Sequence, residues 1–275
     1  MTNMQEQNLF SVLISVYFKE KPEYLLQCLF SIYSNTLIPA EVVLVEDGPL
    51  TQELYNVINF FQHKYGLKTV RLENNQGLGI ALNIGLNECT YDIVARMDSD
   101  DICEPDRFAK QYNYMITHQD IHLIGGAIIE FSEDLKTKIG NRLVPCDYKD
   151  ILNKCYIRNP FNHMTVMFRK KTIISVGGYQ EHLLMEDYNL WLRLIASGAK
   201  VENLPDILVR VRAGQSMIAR RSGMHYVISE YKLMQLVAKL KITSKTRAFS
   251  IFLLRAVLRC LPVNLLAKIY SYSRR

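Results

Sequence analysis

The 275-residue sequence lacks the features of a disulfide-bonded, zinc-binding or secreted protein. Its six cysteines include no Cys-x-x-Cys pair and mostly stand among apolar residues, which predicts reduced core side chains in a cytoplasmic protein. The stretch MTNMQEQNLF has neither the basic region nor the apolar core of a signal peptide, so we expect none. With 49% hydrophobic and 22% charged residues, the composition is that of a globular protein with a real core.

Acidic residues are absent from the last 45 positions. Residues 231–275 hold ten Lys or Arg and no Asp or Glu, although the whole chain carries only +6. The remainder is therefore mildly acidic, and the asymmetry predicts an anionic partner for the tail, either a membrane surface or a nucleic acid.

The tail also lacks a long apolar run. Charged residues and Pro262 interrupt residues 248–270, so no stretch reaches the ~20 apolar residues that span a membrane. Arg255 and Arg259 are four positions apart and share a helix face. This pattern predicts a helix in the plane of a membrane, with the arginines at the headgroups and the apolar side chains dipping inward: Leu253, Leu254, Val257 and Leu258. The alternative is a helix pair packed on the core with a solvated basic face.

Apolar strand patterns alternate with amphipathic helices in the first hundred residues. Strands are predicted in FSVLISVY, EVVLVED, KTVRL and YDIVARM, and Pro22 suits the first turn of the first helix. Alternation of this kind predicts a parallel sheet with right-handed crossovers. Further along, a mixed region follows, with strands predicted at 121–131, 138–143 and 164–168 and helices at about 107–117, 147–154, 185–198 and 224–240.

Three carboxylates follow the fourth predicted strand in the run ARMDSDD. Asp98, Asp100 and Asp101 could form only a solvated turn or a helix cap, since Asp and Ser favour both. An EF-hand is excluded because the sixth position of such a loop would be Cys103 and the twelfth Ala109.

A second acidic pair, Glu46 and Asp47, also ends a predicted strand. Ligands of parallel sheets bind at the carboxyl ends of the strands, so we expect both acidic groups to border one crevice. Oxygen ligands of this kind suit Mg²⁺ or Mn²⁺.

At these residues the sequence resembles inverting glycosyltransferases of family 2. The resemblance rests on FSVLISVYFKEKPEYLLQCLFSIYSNTLIPAEVVLVEDGP, NNQGLGIALNIGL, YDIVARMDSDDICEPDRF, and HMTVMFRK followed by VGGYQEHLLMEDYNLWLRL. It spans Phe10 to Arg212 with the motifs in order, and it is nearest to bacterial enzymes of O-antigen, capsule or exopolysaccharide synthesis. The resemblance implies an α/β GT-A fold, which is a Rossmann-like, mostly parallel sheet flanked by helices, with a helical C-terminal extension.

The resemblance also implies a donor site. The residues it assigns to substrate are Ser15, Val16, Tyr17, Glu46, Asp47, Asn75, Gly77, Asn83, Arg96, Asp98, Ser99 and Asp101. Among these, Asp47 would accept a hydrogen bond from the base, Arg96 would contact the sugar or offset the carboxylates, and Ser99 would space the two flanking aspartates. Asp98 and Asp100 would hold Mn²⁺ or Mg²⁺ against the diphosphate.

On the acceptor side, the resemblance assigns the catalytic base to Asp187. Inversion needs one carboxylate to take the proton of the attacking hydroxyl. Glu186 and His163 would line the same site, although acidic residues in a first helical turn also simply complement the helix dipole. Some relatives place a His after the late strand, where this sequence has VRVRAGQSMIARR, so the third metal ligand stays open. Arg220 and Arg221 would grip a diphosphate from a basic lid.

Together these features predict a glycosyltransferase domain at 1–222 and a basic helical extension at 223–275. The nucleotide-binding half would span about 8–105 and the acceptor-binding half about 106–222. The predicted reaction moves a hexose from a UDP-sugar to a lipid-pyrophosphate-linked saccharide on the inner face of the cytoplasmic membrane. Two alternatives remain: an Mg²⁺-dependent nucleotidyltransferase, whose Gly-rich phosphate loop is missing from VYFKEKPEY, and a nucleic-acid-binding protein, for which the main domain lacks interleaved basic and aromatic residues. We expect no nucleic-acid partner.

Overall fold

The structure is a computed structural model that describes residues 9–213 and 223–259. The predicted lid residues Arg220 and Arg221 lie outside these ranges, as does the part of the basic tail beyond residue 259.

The first half of the chain alternates strand and helix as predicted. Its elements are β1 (Phe10–Val16), α1 (Pro22–Tyr33), β2 (Glu41–Glu46), α2 (Gln52–Tyr65), β3 (Lys68–Arg71), α3 (Leu78–Glu88) and β4 (Ile93–Arg96). The four strands pair in parallel in the order β3-β2-β1-β4. Their carboxyl ends therefore meet at one edge of the sheet, which brings the turns after β2 and β4 near each other.

The second half continues the same sheet with mixed strand directions. Its elements are β5 (Ile102–Cys103), α4 (Arg107–Thr117), β6 (Ile121–Phe131), β7 (Lys138–Arg142), α5 (Tyr148–Lys154), a 3₁₀ turn (His163–Thr165), β8 (Met167–Arg169), α6 (Lys170–Ser175), α7 (Glu186–Ala196), β9 (Lys200–Arg212), α8 (Met224–Lys239) and α9 (Lys245–Arg259). Beyond β4 the order is β8-β6-β9-β5, with β7 on β6, and only β6 and β9 pair in parallel. The strand predicted at 164–168 is in fact a 3₁₀ turn leading into β8.

Helices cover both faces of the sheet. On β1, Leu13 belongs to the core under α3 and α7, whereas Val12 and Ile14 belong to the core under α1, α2 and α4. Successive side chains of a strand point to opposite faces, so a strand buried on both sides reads as the continuous apolar run seen in FSVLISVY. Of the cysteines in the described ranges, Cys28, Cys89, Cys103 and Cys155 are buried and none forms a disulfide.

The last two helices pack on α7 and not apart from it. Tyr226, Leu233 and Val237 of α8 and Ala248 of α9 belong to the same core cluster as the buried residues of α7. The division at residue 222 stays a prediction, since α8 and α9 share a core with the rest of the described chain. No helix within residues 9–213 and 223–259 is long and apolar enough to cross a membrane.

The prediction that Arg255 and Arg259 of the tail face outward is wrong. The Nε of Arg255 and the Nη2 of Arg259 lie 2.9 and 3.2 Å from the two carboxylate oxygens of Glu230, which is buried on α8. A buried carboxylate needs a paired charge, and the two arginines supply it, so they turn inward. On α9, Phe249, Leu253, Leu254 and Val257 are exposed, and Lys245 and Arg247 are exposed in its first turn.

Candidate active site

The turn after β4 brings three carboxylates together. Oxygen atoms of Asp98, Asp100 and Asp101 all lie within 4.8 Å of one another. Asp101 is buried, and the other two are half-buried. An all-oxygen donor set of this size fits Mg²⁺ or Mn²⁺, so the residues present are chemically suited to such an ion.

Negative charge in this turn is poorly compensated by the protein. Burial raises the pKa of Asp100 to about 7, and the neighbouring carboxylates Asp98 and Glu20 add to the effect. Burial also raises the pKa of Asp101 well above its usual range, and the charges of Asp100 and Asp98 add to this effect. A cation or bound protons would therefore stabilise the cluster. A divalent cation would bind by displacing protons from these carboxyl groups.

Arg212, the last residue of β9, holds this turn in place. Its backbone N–H donates to Asp101 Oδ1 at 3.1 Å, and its guanidinium donates to the backbone carbonyl of Asp100. The guanidinium also lies over the ring of Tyr24, 4.1 Å from the centroid, and donates to Gln27. The polar contacts join positions more than 100 residues apart, so the conformation of the acidic turn depends on the late strand.

Arg96 stands at the centre of the site, fully buried at the end of β4. Its Nη2 pairs with Asp98 Oδ1, and its carbonyl accepts a hydrogen bond of 2.7 Å from Arg107 Nη2. Its Nε and Nη1 have no hydrogen-bond partner among the described residues. Unpaired donors on a buried cation are costly, and an oxygen-rich ligand would satisfy them.

Asp47, which follows β2, organises the loop before α3. Its Oδ1 accepts from the backbone N of Gln76 at 2.7 Å, and its Oδ2 accepts from the N of Gly77 and from Asn75 Nδ2, each at 3.1 Å. Gly48 adopts a positive φ, and a Cβ built there would lie 2.6 Å from the backbone N of Asn75. Only Gly allows this close approach of the two backbone segments. The close approach and the hydrogen bonds of Asp47 together hold the predicted donor residues Asp47, Asn75 and Gly77 as one unit.

The other predicted base-binding residues lie at the neighbouring strand ends. Ser15 is half-buried, Val16 is buried, and Tyr17 is exposed just beyond β1. Glu46 is buried and pairs with Arg71, whose Nε is 3.0 Å from Glu46 Oε2. Burial raises the pKa of Glu46, against the lowering effect of Arg71.

The first turns of α3 and α7 are in contact. A Cβ built at Gly79 would lie 3.6 Å from the Cβ of Glu186 and 3.7 Å from that of Tyr179. Asn83 reinforces this contact, because its side-chain amide donates to the carbonyl of Tyr179 at 2.6 Å and accepts from its N–H at 2.8 Å. Asn83 therefore docks α3 against the turn before α7, and its predicted substrate contact stays a prediction.

Glu186 and Asp187 form the first turn of α7. Asp187 Oδ2 accepts from Asn159 Nδ2 at 2.8 Å, and Oδ1 accepts from the backbone N of Tyr188 at 2.7 Å. Burial raises the pKa of both carboxyl groups, and the charge of Arg96 lowers both. The same guanidinium thus influences both the acidic turn after β4 and the acidic turn of α7.

His163 lies deep in the site on the 3₁₀ turn. Its Nε2 is 2.8 Å from the hydroxyl of Tyr179, and its ring packs edge-on against Trp191, with centroids 5.9 Å apart. Burial lowers the pKa of His163 well below its ordinary value, so the ring is neutral at physiological pH. A neutral His in this position orients Tyr179, and the predicted acceptor contact stays a prediction.

The structure brings the predicted residues together in local groups at strand ends and helix starts, and it adds three residues that the sequence did not indicate. Ser99 is buried behind the acidic turn, where its hydroxyl donates to Glu20 Oε2 at 2.6 Å. Arg212, Tyr179 and Asn159 were missed because each acts on a residue far along the chain. The only sequence signal was their polar or aromatic character beside a recognised motif.

A mixed α/β sheet with an acidic turn at the end of β4 and an acidic first turn on α7 defines a nucleotide-sugar transferase fold. Residues 11–177 match Glycosyl transferase family 2, and the chain belongs to that family. It is 48% identical to the amylovoran biosynthesis glycosyltransferase AmsE of Erwinia amylovora, over 97% of this chain and 100% of that protein. It is 38% identical to the Escherichia coli UDP-Gal:α-D-GlcNAc-diphosphoundecaprenol β-1,3-galactosyltransferase, over 95% of each chain.

Solved structures confirm the GT-A fold. The structure of S. aureus TarS 1-349 in complex with UDP-GlcNAc superimposes with a TM-score of 0.66 at 18% identity, over 90% of this chain and 72% of that one. The mannosyltransferase PcManGT of Pyrobaculum calidifontis, in complex with GDP-Man and Mn²⁺, gives 0.62 at 16% identity, over 96% of this chain and 79% of that one.

Replacing Arg212 with Leu is expected to loosen the acidic turn. The variant loses charge-assisted hydrogen bonds worth roughly 2–3 kcal/mol, so amide exchange at residues 98–101 should accelerate about tenfold or more. Hydrogen–deuterium exchange with mass spectrometry measures this directly. Arg210→Leu is the matched control, because Arg210 lies on the same strand but pairs with Glu104 at the surface. Equal exchange in both variants would contradict the assigned role.

Proposed function

We propose that this protein is an inverting hexosyltransferase that uses a UDP-sugar donor and a lipid-pyrophosphate-linked saccharide acceptor. The single observation that carries the proposal is that Arg96 pairs with Asp98 after β4 while its charge also lowers the pKa of Glu186 and Asp187, the carboxyl groups that begin α7. A donor bound at the first group and an acceptor at the second would meet at this residue.

The relatives indicate which classes of donor and acceptor to test first. The E. coli relative transfers galactose from UDP-Gal to a GlcNAc-diphosphoundecaprenol, and this chain is similar to it over nearly its whole length. We therefore infer UDP-Gal as the first donor to test and a GlcNAc-diphosphate-lipid as the first acceptor. The similarity to the amylovoran enzyme supports a role in exopolysaccharide or O-antigen repeat-unit synthesis.

Donor binding would use the unit formed by Asp47, Asn75 and Gly77 together with the ends of β1 and β2. Ser15, Val16, Tyr17 and Glu46 border the same edge and would contact the base and ribose. The open Nε and Nη1 of Arg96 would donate to oxygens of the sugar or the diphosphate. These contacts would fix the anomeric carbon beside the first turn of α7.

Asp98 and Asp100 would hold a divalent cation, with Asp101 and Ser99 behind them. Such an ion supplies positive charge that offsets the charge developing on the leaving diphosphate. PcManGT, which shares the fold, was solved with Mn²⁺, and this supports Mn²⁺ as the first ion to test, with Mg²⁺ as the second.

Asp187 would act as the base in a single displacement. It takes the proton of the acceptor hydroxyl while the oxygen attacks the anomeric carbon opposite the diphosphate. The bond from that carbon to the diphosphate oxygen breaks, and its electron pair leaves with UDP. Glu186 and His163 would line the acceptor side. Arg220 and Arg221, which lie outside the described residues, would bind a diphosphate.

Asp187→Asn tests the base. Because a general base contributes about 10²–10⁴-fold to rate, turnover of UDP-Gal with a synthetic GlcNAc-diphosphate-lipid should fall by that factor, measured by mass spectrometry of the product. The UDP-Gal dissociation constant, measured by calorimetry, should change by less than about 2-fold, since the variant removes charge only at the acceptor side. Asp120→Asn is the control, because Asp120 is exposed and pairs with Lys200. Full turnover by a folded Asp187→Asn enzyme would exclude the assignment.

Divalent cation binding should stabilise the fold. Mn²⁺ at about 100 times its dissociation constant adds roughly 2.7 kcal/mol, which corresponds to a Tm increase on the order of 5–10 °C. Asp100→Asn should abolish most of this increase, as followed by differential scanning fluorimetry. Asp150→Asn, which alters an exposed pair with Lys154, should keep it. If Mn²⁺ leaves the Tm of the wild-type protein unchanged, the proposed role of the metal is wrong.

We also propose that the protein is cytoplasmic and works at the inner face of the cytoplasmic membrane. Phe249, Leu253, Leu254 and Val257 are exposed on α9. Besides Arg255 and Arg259, which pair with Glu230, residues 231–275 hold eight more Lys or Arg and no acidic residue. Apolar side chains that enter the bilayer, combined with basic residues near anionic headgroups, are the two signals that peripheral attachment requires.

Leu254→Glu combined with Val257→Glu should weaken binding to vesicles of phosphatidylglycerol and phosphatidylethanolamine. Both side chains are more than 60% exposed, so the change hardly affects the fold. Losing two apolar insertions should reduce the partition coefficient about tenfold or more, as measured by co-sedimentation. Ile38→Glu is the control, because Ile38 is 56% exposed on the loop between α1 and β2. Unchanged sedimentation of the double variant would refute attachment through α9.

A further inference from the structure

The side chain of Asn159 lies against Asp187 in a defined orientation. Its Nδ2 donates to Asp187 Oδ2 at 2.8 Å, while its Oδ1 accepts from the backbone N of Phe161 at 3.2 Å. A backbone N–H can only donate, so the second contact requires the amide oxygen on that side. The amide nitrogen must therefore face Asp187.

The segment that carries Asn159 is anchored on two sides. Asn203 Nδ2 on β9 donates to the carbonyl of Pro160 at 3.1 Å, and Asn162 Nδ2 donates to the carbonyl of Gly126 on β6 at 2.8 Å. The ring of Phe161 packs edge-on against Trp191 of α7, with centroids 5.7 Å apart. The sheet and the helix that carries Asp187 thus both fix the segment, and the amide has little freedom to turn away.

Asp187 has one fixed donor on each oxygen. The backbone N of Tyr188 donates to Oδ1 and Asn159 donates to Oδ2. Each carboxylate oxygen has two lone-pair directions, so one direction on each oxygen stays open for a substrate hydroxyl. Two fixed donors also prevent rotation of the carboxylate about its own axis, which keeps the open directions aimed at one place.

We infer that Asn159 is a positioning residue for Asp187, which fixes the rotation of the carboxylate and stabilises its charged form. The inference rests on the proposed function of Asp187 as the base. A carboxylate that must accept a proton from an alcohol works only when it is ionised and aimed at the hydroxyl, and Asn159 serves both requirements through one hydrogen bond.

The electrostatics of the surroundings agree with this geometry. Burial raises the pKa of Asp187, and the hydrogen bonds from Tyr188 and Asn159 lower it. The charged and titratable groups that face it from the neighbouring elements are Glu186 on α7, Arg96 on β4, Arg142 on β7, and Tyr179 and His182 before α7. Of these, the charges of the two arginines favour the ionised form of Asp187.

The test uses the full chain with Asn159→Ala and the isosteric Asn159→Asp. Turnover of UDP-Gal and a synthetic GlcNAc-diphosphate-lipid is followed with Mn²⁺ from pH 5 to pH 9. Removing a donor to the ionised form raises its pKa, so the acidic limb of the kcat profile should move up by about one pH unit in Asn159→Ala. It should move further in Asn159→Asp, which adds a like charge. At neutral pH, kcat should fall about tenfold while KM for UDP-Gal changes little.

Asn189→Ala is the matched control. Asn189 is buried on the same helix as Asp187, and its side chain bonds to His182 and Arg193. This variant should lower Tm without moving the acidic limb. A limb that stays in place in both Asn159 variants, with kcat reduced only in line with Tm, would overturn the inference and leave Asn159 a structural residue.

Asp187→Asn separates this result from the proposed function. If Asp187→Asn is inactive and the acidic limb of the Asn159 variants stays unmoved, the positioning role alone is refuted. If Asp187→Asn keeps full turnover, the base assignment is wrong and the inference fails with it. A moved limb together with an inactive Asp187→Asn supports both.

Discussion

The structure of this site depends on the ionic environment of Arg96. The guanidinium is buried at the end of β4, and five carboxylates that influence it come from two turns: Asp98, Asp100 and Asp101 on one side, Glu186 and Asp187 on the other. Burial raises the pKa of four of them, Asp100, Asp101, Glu186 and Asp187, and the charge of Arg96 offsets this effect only in part. The imbalance is what a site for a metal ion and a diphosphate would need, because the ligands themselves complete the charges.

Hydrogen bonds between polar side chains and backbone connect the parts of the site. Asp47 orders the loop before α3, Asn83 fastens α3 to the turn before α7, and Asn159 fastens the segment before β8 to Asp187. Each bond joins elements that come from different parts of the chain. The residues proposed to face substrate are thereby held by partners from other parts of the fold, which is how a site keeps a fixed geometry.

The sequence predicted the fold correctly, and it predicted that the acidic groups lie at strand ends, for a definable reason. Strand and helix periodicity, together with the strand-end position of Asp47 and Asp98, depends on local pattern, and parallel strands place their ends at one edge. Asn159, Tyr179 and Arg212 could not be predicted, because pairing of polar side chains across 28, 96 and 112 positions leaves no periodic trace. The short α6 and the 3₁₀ turn at His163 were missed for the same reason, since tertiary contacts set them.

The tail shows that one residue on a neighbouring helix can decide which face of a helix is exposed. In sequence, Arg255 and Arg259 form a basic stripe beside an apolar one, and either stripe could face solvent. Glu230, on the neighbouring helix, decides the question, because a buried carboxylate without a cation would cost several kcal/mol. With both arginines paired to Glu230, the apolar side chains of Leu253, Leu254 and Val257 lie on the exposed side of α9. The exposed apolar side chains and the buried ion pair are therefore one feature, and α9 owes its orientation to a charge on α8.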